Sequence, residues 1–574
     1  MSLILVACQE PGSAGTPPPP PPAAAVPRVN VTLVPQAEVV GRGAVTVSFG
    51  LPLPPGLLLD PGRVAMRDAS GQEIPAHVRS LGLWRSLPPE ALLCAGLRAT
   101  GDPGIRSVLV QLSHTFVNGD PVLITVELNA ARTLDVGEEV PVRDTWRLVN
   151  EGTYTSNYQL YEPSVYALLP PTWLACSSLT TLATVAGEHD FLEVFDQGQV
   201  NFFQTVINDF NSQPDPEWLV DFYTDNEPWL YDRAQVFYNG YIRTGRLDFL
   251  REAHRAAQHY MSLLYGSGDC PSVPDEWCRG FFSLKNPPDL YYKDSKYSYN
   301  ESLATLYWLS GDPEPLAHLA DVTSATRTEV PLTERFPDEV SWFTERHWAN
   351  ALLAPVMEYE VTGDAALADY AGQGIDALYY MQNHPLEGNP PNGCFNSHVE
   401  DSPQVSFSPW MSSLLAHALL RAYHTLGDER IPGMLIALGQ CEVDRAIYFP
   451  TESGAPPYWM PRYIATSYGP PASLDGDPWS DLEHAIDVAY VTALGAYFSS
   501  DPAQVGTLAT ATTRLLETHA YNLDYWTRPE GWPENGRPLY RVNPPRKYSW
   551  WYKNSGAIGW VLGGAAQFPV AAAR

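Results

Sequence analysis

The feature of this sequence that most constrains its fold is a recurring pair of helical patterns that begins near residue 229. A compact turn ends the first pattern of each pair, where Gly suits a helix C-cap and Asp the N-cap that follows. First helices recur at intervals of roughly 50–70 residues, which is the signature of a repeat. They are predicted at 232–243, 299–309, 346–361, 410–425, 482–498 and 551–566. The pattern predicts six helical hairpins in an (α/α)6 toroid.

The stretch before the helical repeat has the pattern of β-strands. Segments 45–49 and 107–112 alternate or are rich in β-branched residues, and Asp60-Pro61-Gly62 marks a turn. We expect an antiparallel β-sandwich at 29–150, a linking region at 151–228 and the toroid at 229–574. The predicted class is therefore an α+β multidomain chain, as suits 574 residues.

The first 28 residues have the composition of an export segment and a tether. Leu5-Val6-Ala7-Cys8 resembles the bacterial lipobox, and six prolines follow at Pro17–Pro22. The apolar part before Cys8 is shorter than the roughly 7–15 residues of a signal peptide, so either the true start lies upstream or the match is chance. We expect an exported protein in the cell envelope or outside the cell, with membrane contact only through a lipid at Cys8.

Charge limits the class of partner. The chain carries 65 acidic and 35 basic residues, a formal net charge of −30, which disfavours nucleic acid and anionic membranes. Four of its five lysines nevertheless fall in two predicted helix starts, as Lys293, Lys296, Lys547 and Lys553. Together with 17 Trp and 31 Tyr, which suit the apolar faces of sugars, this favours a polysaccharide or oligosaccharide bearing a carboxylate.

The long irregular segments all connect on one face of such a toroid, opposite the short turns. These segments are 265–298, 384–409, 448–481 and 521–549. Loops of this length usually carry function, and the same face carries the N-termini of the first helices, which favour anions. The functional site is therefore expected there.

Cleavage beside a uronic acid by β-elimination needs a cation, a base and an acid, and this face offers all three. We expect Arg346 and Lys296 to neutralise the carboxylate, His347 to act as base and Tyr299 as acid, with Tyr552 as its replacement. Further residues are expected to bind substrate: Arg233, Tyr231, Lys293, Asn300, Trp348, Trp410, Arg462, Lys553 and Asn554.

Two alternatives stay open. A glycoside hydrolase on the same scaffold would need a pair of carboxyl groups, for which Asp225, Glu227 and Glu345 are the candidates. A glycan-binding surface lipoprotein without activity is the other.

Several segments resemble exo-acting rhamnogalacturonan lyases and their relatives. In the β-region these are VSFGLPLPPG at 47–56, RVAMRD at 63–68 and GQEIPA at 71–76. YDR at 231–233, YIRTG at 241–245 and EAHRAA at 252–257 look like that family's first toroid hairpin. The resemblance implies an N-terminal sandwich, a catalytic toroid and polysaccharide lyase activity.

The cysteines and histidines predict no metal centre. Only Cys270 and Cys278 lie close together, in a loop where a disulfide would fit an oxidising compartment. No CxxC or HExxH spacing occurs, so a structural zinc site is not expected. No cofactor is predicted, and a structural calcium is left open.

Overall fold

The structure is a computed structural model of the chain. It describes residues 27–89, 101–134, 138–149, 159–212, 229–268, 270, 274, 278–282, 294–333, 345–398, 404–527 and 546–567. The predicted tether with Cys8 lies outside the described residues, as do Lys293, Asp225 and Glu227.

Strands dominate the first part of the chain and helices the second. The strands are β1 Arg28–Pro35, β2 Ala44–Pro52, β3 Val64–Arg67, β4 Glu73–Ile74, β5 Ala76–Leu83, β6 Ile105–Thr115, β7 Val122–Leu128, β8 Trp146–Leu148, β9 Tyr161–Pro163, β10 Val165–Leu168, β11 Ser397–His398, β12 Val405–Phe407, β13 Ile447–Tyr448, β14 Met460–Pro461, β15 Ile464–Thr466 and β16 Ser473–Asp475. The α-helices are α1 Pro171–Cys176, α2 Glu193–Ser212, α3 Arg233–Thr244, α4 Leu247–Ser262, α5 Glu301–Ser310, α6 Glu314–Glu329, α7 Glu345–Thr362, α8 Ala365–Asn383, α9 Pro409–Leu426, α10 Ile431–Cys441, α11 Pro478–Glu483, α12 Ala485–Phe498, α13 Pro502–Thr527, α14 Arg546–Tyr552 and α15 Ile558–Gln567.

Two antiparallel sheets form the N-terminal part. One has the strand order β10-β1-β7-β3-β4 and the other β2-β6-β5. The prediction of a mixed helix-and-sheet class with N-terminal sheets is confirmed, whereas the face-to-face stacking of a sandwich stays a prediction. The loops 384–409 and 448–481, expected to be irregular, contribute the small sheet β11-β12-β15-β16.

Six inner positions make a closed ring of helices. Helix α3 contacts α5, α5 contacts α7, α7 contacts α9, α9 contacts α12, α12 contacts α14 and α15, and α14 contacts α3 again. The predicted fifth helix is divided into α11 and α12, and the sixth into α14 and α15. The ring follows the helix order that the toroid prediction requires.

The helix that packs outside the sixth inner position precedes the first hairpin in the chain. Helix α2 packs on α14, where the hydroxyl of Tyr548 donates to the carbonyl oxygen of Gln199 at 2.6 Å. Its Phe203 ring stacks on Phe249 of α4 at 3.9 Å between centroids. The segment before residue 229, predicted as a linking region with contacts to the sandwich and the toroid, supplies a helix that packs on the ring.

Glycines end the inner helices on one side of the ring. Gly245, Gly311, Gly363 and Gly427 all have φ between 68° and 74°, the left-handed region where a Cβ is costly. These short turns place the N-terminal ends of α3, α5 and α7 on the opposite side. The cavity described below lies at those ends.

The three-stranded sheet packs directly on the ring at α5. The hydroxyl of Ser107 donates to the carbonyl oxygen of Trp308 at 2.8 Å, and that of Tyr307 donates to Leu81 O at 2.7 Å. A Cβ at Gly50 would overlap the same Trp308 carbonyl. Gly50 is thus required by the close approach of strand β2 to the helix.

Two disulfides join described residues. The predicted Cys270–Cys278 disulfide is confirmed, with 5.8 Å between the Cα atoms. A second disulfide joins Cys394 and Cys441, 47 positions apart, which sequence spacing did not indicate. In the part of the chain that the structure describes, the helices lack the combined length and apolar character of a membrane span.

Candidate functional site

A cavity opens at the N-terminal ends of the inner helices. Around it lie Tyr231, Asp232, Lys296, Tyr299, Arg346, Asn350, Leu353, Leu414, His417 and Lys553. Its wall combines three cationic side chains with two phenols, one histidine and a few apolar groups. Five of the predicted site residues are brought together here: Arg346, Lys296, Tyr299, Tyr231 and Lys553.

Four buried charged or titratable residues, which we call the cavity cluster, line the cavity or contact its lining: Asp232, Glu301, His417 and Lys553. The Glu301 carboxylate meets Nε2 of His417 at 2.9 Å and Nζ of Lys553 at 2.5 Å. Burial alone would raise the pKa of Glu301, but His417 and Lys553 outweigh it and hold this pKa well below its usual value. Glu301 is therefore an ionised group that orients the histidine.

Asp232 is the second carboxyl of the cavity cluster. It stands before α3, where its side chain accepts from the backbone N–H groups of Gln235 and Ser302, both at 3.2 Å. Burial raises its pKa, opposed by Lys553 at 3.7 Å. Asp232 and the preceding Tyr231 have φ of 53° and 71°, a conformation that non-glycine residues rarely adopt and that recurs at functional sites.

Three buried donors beside the cavity cluster lack hydrogen-bond partners among the described residues. They are the hydroxyl of Tyr231, Nε of Arg346 and Nε1 of Trp410. The Arg346 guanidinium lies 5.7 Å from the Trp410 ring, and the Tyr231 ring lies 6.1 Å from it. Because a buried donor without a partner costs about 1–3 kcal/mol, such a group of donors is a vacancy for an acceptor.

The predicted base, His347, does not line the cavity. Its ring is buried on α7, with Nε2 at 3.3 Å from Oδ1 of Asp294. Burial lowers the pKa of His347, an effect that Asp294 partly opposes. The neighbouring residue Arg346 takes the place at the cavity, because successive helical residues point in directions about 100° apart. Lys296 faces the cavity while its Nζ is 2.6 Å from Oδ2 of Asp294.

The predicted acid, Tyr299, lines the cavity, but its hydroxyl is committed to the backbone. It donates to the carbonyl oxygen of Lys296 at 2.6 Å and accepts from the N–H of Tyr231 at 2.9 Å. Burial raises its pKa well above the usual value. Tyr299 therefore fixes the cavity wall, and the hydroxyl of Tyr231 is the one left for chemistry.

Three further predicted residues serve packing. The hydroxyl of Tyr552, the proposed substitute acid, lies against α2, beside the Cα of Gly198. The guanidinium of Arg233 lies over the Phe237 ring at 4.8 Å and does not line the cavity. The amide of Asn300 donates to the carbonyl oxygens of Leu319 and Ala354, each at 3.0 Å, and so joins three helices.

The remaining predicted binders lie beside the cavity or away from it. Arg462 donates to the carbonyl oxygens of Arg445 and Ala446, both at 3.1 Å, and Asn554 donates to Ser413 O at 3.3 Å. Trp348 is buried without lining the cavity. Among the hydrolase candidates, Glu345 is buried behind Arg346 and accepts from the N–H of Ser408 at 2.9 Å.

Sequence reasoning did not select Asp232 or Glu301, and it missed His417 and Asn350. The last two sit inside long helices, in α9 and α7, whereas most of the predicted site residues stand at helix starts. The available signal was a polar residue on an otherwise apolar buried face, His417 among Leu414, Leu415 and Ala418. Such residues are more often packing groups, so the sequence alone does not select them.

Comparison with known proteins adds similarity of fold. No protein-family model and no curated protein sequence matches the chain. Among solved structures, cellobiose 2-epimerase from Bacillus thermoamylovorans aligns with a TM-score of 0.45 and 13% identity, over 65% of this chain and 99% of its own. A sugar epimerase from a ruminal bacterium aligns with a TM-score of 0.43 and 14% identity, over 66% of this chain and 99% of its own. A polysaccharide lyase aligns with a TM-score of 0.38 and 12% identity, over 66% of this chain and 99% of its own. Similarity at this level does not bear on the activity of this chain.

Proposed function

We propose that this chain is a polysaccharide lyase that cleaves a uronate-containing glycan by β-elimination in the central cavity. The observation that carries the proposal is the group of partnerless buried donors, Tyr231, Arg346 and Trp410, next to a histidine oriented by Glu301. An acidic sugar supplies the carboxylate acceptor that these donors lack. It also supplies the C5 proton, made acidic by that carboxylate, that the histidine would abstract.

The substrate carboxylate would bind at Arg346 and Trp410. Within the described residues, Arg346 makes no ion pair with a carboxylate, and its Nε is buried. A carboxylate placed there gains charge-assisted hydrogen bonds in a site that excludes water, where such bonds are strong. Lys296, held at the cavity by Asp294, adds positive charge to the same wall.

His417 is the base that the geometry favours. Its Nε2 lies 2.9 and 3.1 Å from the two carboxylate oxygens of Glu301, a geometry in which a neutral imidazole donates from Nε2. Nδ1 then carries the lone pair. No hydrogen bond to Nδ1 occurs among the described residues, and His417 lines the cavity. This replaces His347 in the role that the sequence suggested.

The proposed elimination moves two protons and breaks the C4–O bond of the substrate. Nδ1 of His417 takes the proton from C5 of the uronate, and the charge that develops on the carboxylate is stabilised by Arg346 and Lys296. The C5–H electron pair forms the C4–C5 double bond while the C4–O bond breaks. The Tyr231 hydroxyl gives its proton to the departing oxygen. Burial raises the pKa of Tyr231 well above its usual value, so this phenol keeps its proton until the departing oxygen develops charge.

One observation favours a second candidate, a glycoside hydrolase. The environments of Asp232 and Glu301 move their pKa values in opposite directions, up for Asp232 and down for Glu301. In such a pair, Asp232 would be the acid and Glu301 the ionised carboxylate. Retaining and inverting hydrolases both need these two roles. In that mechanism Asp232 would protonate the leaving oxygen.

Product chemistry separates the two functions. We would incubate the protein with a panel of acidic and neutral polysaccharides and measure both new reducing ends and ultraviolet absorbance. Elimination gives reducing ends together with the absorbance of a double bond conjugated to the carboxylate. Hydrolysis gives reducing ends without that absorbance and would move the proposal to Asp232.

Arg346→Gln is the variant that tests carboxylate binding. It should lower kcat/KM on the acidic substrate by about 10²–10³-fold, as loss of one stabilising donor does. Arg462→Gln is the matched control, because its guanidinium is bound to backbone carbonyls away from the cavity, and it should retain activity. Equal losses in the two variants would contradict the assignment of Arg346.

A further inference from the structure

Three side chains with metal-ligating atoms converge beside the cavity. Asp294 precedes a 3-10 turn at Ser295–Tyr297, Glu329 ends α6, and His347 lies in the first turn of α7. One ligand atom of each lies within 4.8 Å of those of the other two. We infer that Asp294, Glu329 and His347 bind one divalent transition-metal ion, a site that the sequence spacing did not indicate.

The distances suit such an ion. Oδ1 of Asp294 and Nε2 of His347 are 3.3 Å apart. Two ligands at 2.0–2.1 Å from a tetrahedral ion stand about 3.3 Å apart, so this pair already has the required spacing. The ligand oxygen of Glu329 lies within 4.8 Å of the other two ligand atoms, so this side chain moves closer to them when the ion binds.

The donor set selects the class of metal. One imidazole with two carboxylates suits Zn²⁺ or a similar first-row ion, whereas Ca²⁺ and Mg²⁺ are bound by oxygen ligands. Zn²⁺ is also favoured over Mn²⁺ and Fe²⁺ by its higher intrinsic affinity for nitrogen and oxygen ligands. Three protein ligands leave a fourth position for water.

Lys296 does not compete for the same atom. Its Nζ pairs with Oδ2 of Asp294 at 2.6 Å, whereas Oδ1 faces His347. The backbone N–H of Ser295 donates to Oε2 of Glu329 and so draws that carboxylate to the turn. The ammonium and the metal ion would use different oxygens of one carboxylate.

The ion would fix the cavity wall from behind. Two of its ligands, Asp294 and His347, are adjacent or nearly adjacent in the chain to Lys296 and Arg346, which line the cavity. Binding would tie the turn that carries Lys296 to the helix start that carries Arg346. The three ligands lie outside the cavity lining, so binding of the ion can be measured without any assay of the proposed chemistry.

Titration of the full-length, untagged protein with Zn²⁺ after chelator treatment tests the inference. Isothermal titration calorimetry should show one tight site for each chain, and added Zn²⁺ should raise the melting temperature, since an ion that binds only the folded state stabilises it. Co²⁺ in place of Zn²⁺ should give the visible absorption of a tetrahedral site.

His347→Gln and Glu329→Gln should each weaken Zn²⁺ binding at least ~10-fold, the lower end of what disturbing a metal's surroundings costs. His384→Gln is the control, because His384 is exposed and lies far along the chain from the three ligands. Two ligand variants guard against one that fails to fold. An unchanged melting temperature of the unaltered protein with Zn²⁺, or equal affinity in His347→Gln and His384→Gln, would overturn the site.

Discussion

The molecule contains two buried clusters of charged residues. One joins parts of the fold, and the other lies at a cavity where a ligand can bind. The second is the cavity cluster of Asp232, Glu301, His417 and Lys553. The interface cluster, Arg106, Glu360 and Arg421, lies where the three-stranded sheet meets the ring. Helix α9 contributes to both, with His417 in the first and Arg421 one turn later in the second.

The charges of the interface cluster are compensated by protein groups. Nε of Arg106 and Nη2 of Arg421 lie 3.1 and 2.8 Å from the Glu360 carboxylate. Burial would raise the pKa of Glu360, but the two guanidinium groups hold it below its usual value. Arg106 also donates to the carbonyl oxygens of Ser177 and Ser178, at 2.7 and 3.0 Å. These contacts tie sheet, linking segment and ring together.

In the described ranges, more buried donors lack a protein partner around the cavity cluster than in the interface cluster. Tyr231, Arg346 and Trp410 each bury a donor without a partner among the described residues, and two residues there adopt a strained backbone. The interface cluster leaves Nε of Arg421 in that state. Buried charges that the protein itself compensates specify how parts dock, whereas a concentration of uncompensated donors indicates a place where a ligand completes the structure.

The largest expected effect comes from His417→Ala. Removal of a general base typically costs about 10²–10⁴-fold in rate, so kcat on the acidic substrate should fall by that factor with the fold intact. Steady-state kinetics and circular dichroism measure the two. His384→Ala is the control and should stay near wild type. Full activity in His417→Ala would remove this histidine from the mechanism and make the cavity cluster a structural one.

Glu360→Gln should destabilise the protein by about 3–5 kcal/mol, because it leaves two buried guanidinium groups without a counter-charge. Chemical denaturation measures the loss. Below the melting temperature the variant should keep wild-type kcat, since Glu360 lies at the far end of α7 from Arg346. A variant that is stable but inactive would break the division between the two clusters.

Glu345→Gln should change how stability depends on pH. Burial raises the pKa of Glu345 from its usual 4.5 to about 7. The folded state therefore holds the proton more tightly, which stabilises it below about pH 4.5, and this stability is lost as the pH rises through about 7. The difference corresponds to about 3 kcal/mol at most.

Melting temperatures from pH 4.5 to 8 test that expectation. They should fall less steeply in Glu345→Gln than in the unaltered protein. Parallel curves for the two proteins would show that Glu345 does not change its protonation on folding, and the contrast with Glu360 on the same helix would disappear.

The smallest expected change in stability distinguishes two buried tyrosines, Tyr231 and Tyr260. Tyr231→Phe removes a buried hydroxyl that lacks a partner and should stabilise the protein by up to about 1 kcal/mol while lowering activity. Tyr260→Phe is its counterpart, because the Tyr260 hydroxyl donates to Tyr297 O and accepts from Tyr299 N. It should destabilise by about 1–3 kcal/mol. Thermal melts that order the pair in reverse would contradict the vacancy at Tyr231.

Local signals in the sequence were enough for the helical repeat and for the neighbourhood of the site. Helices end at Gly245, Gly311, Gly363 and Gly427 because glycine, which has no Cβ, tolerates φ > 0. The positions of these turns then predict which side of the ring carries the N-terminal ends of the inner helices. Arg346, Lys296 and Tyr231 were found because they stand at helix starts on that face. The Cys270–Cys278 disulfide needed only nearness along the chain.

Tertiary structure alone decided which of these side chains face the cavity and which are already bound. His347 and Arg346 are neighbours in sequence, but the packing of α7 against the 294–297 turn directs one to Asp294 and the other to the cavity. His417 acquires its role from Glu301, 116 positions away, and Glu360 from Arg106, 254 positions away. Contacts over such separations depend on how helices pack in the ring, and no local pattern in the sequence records them.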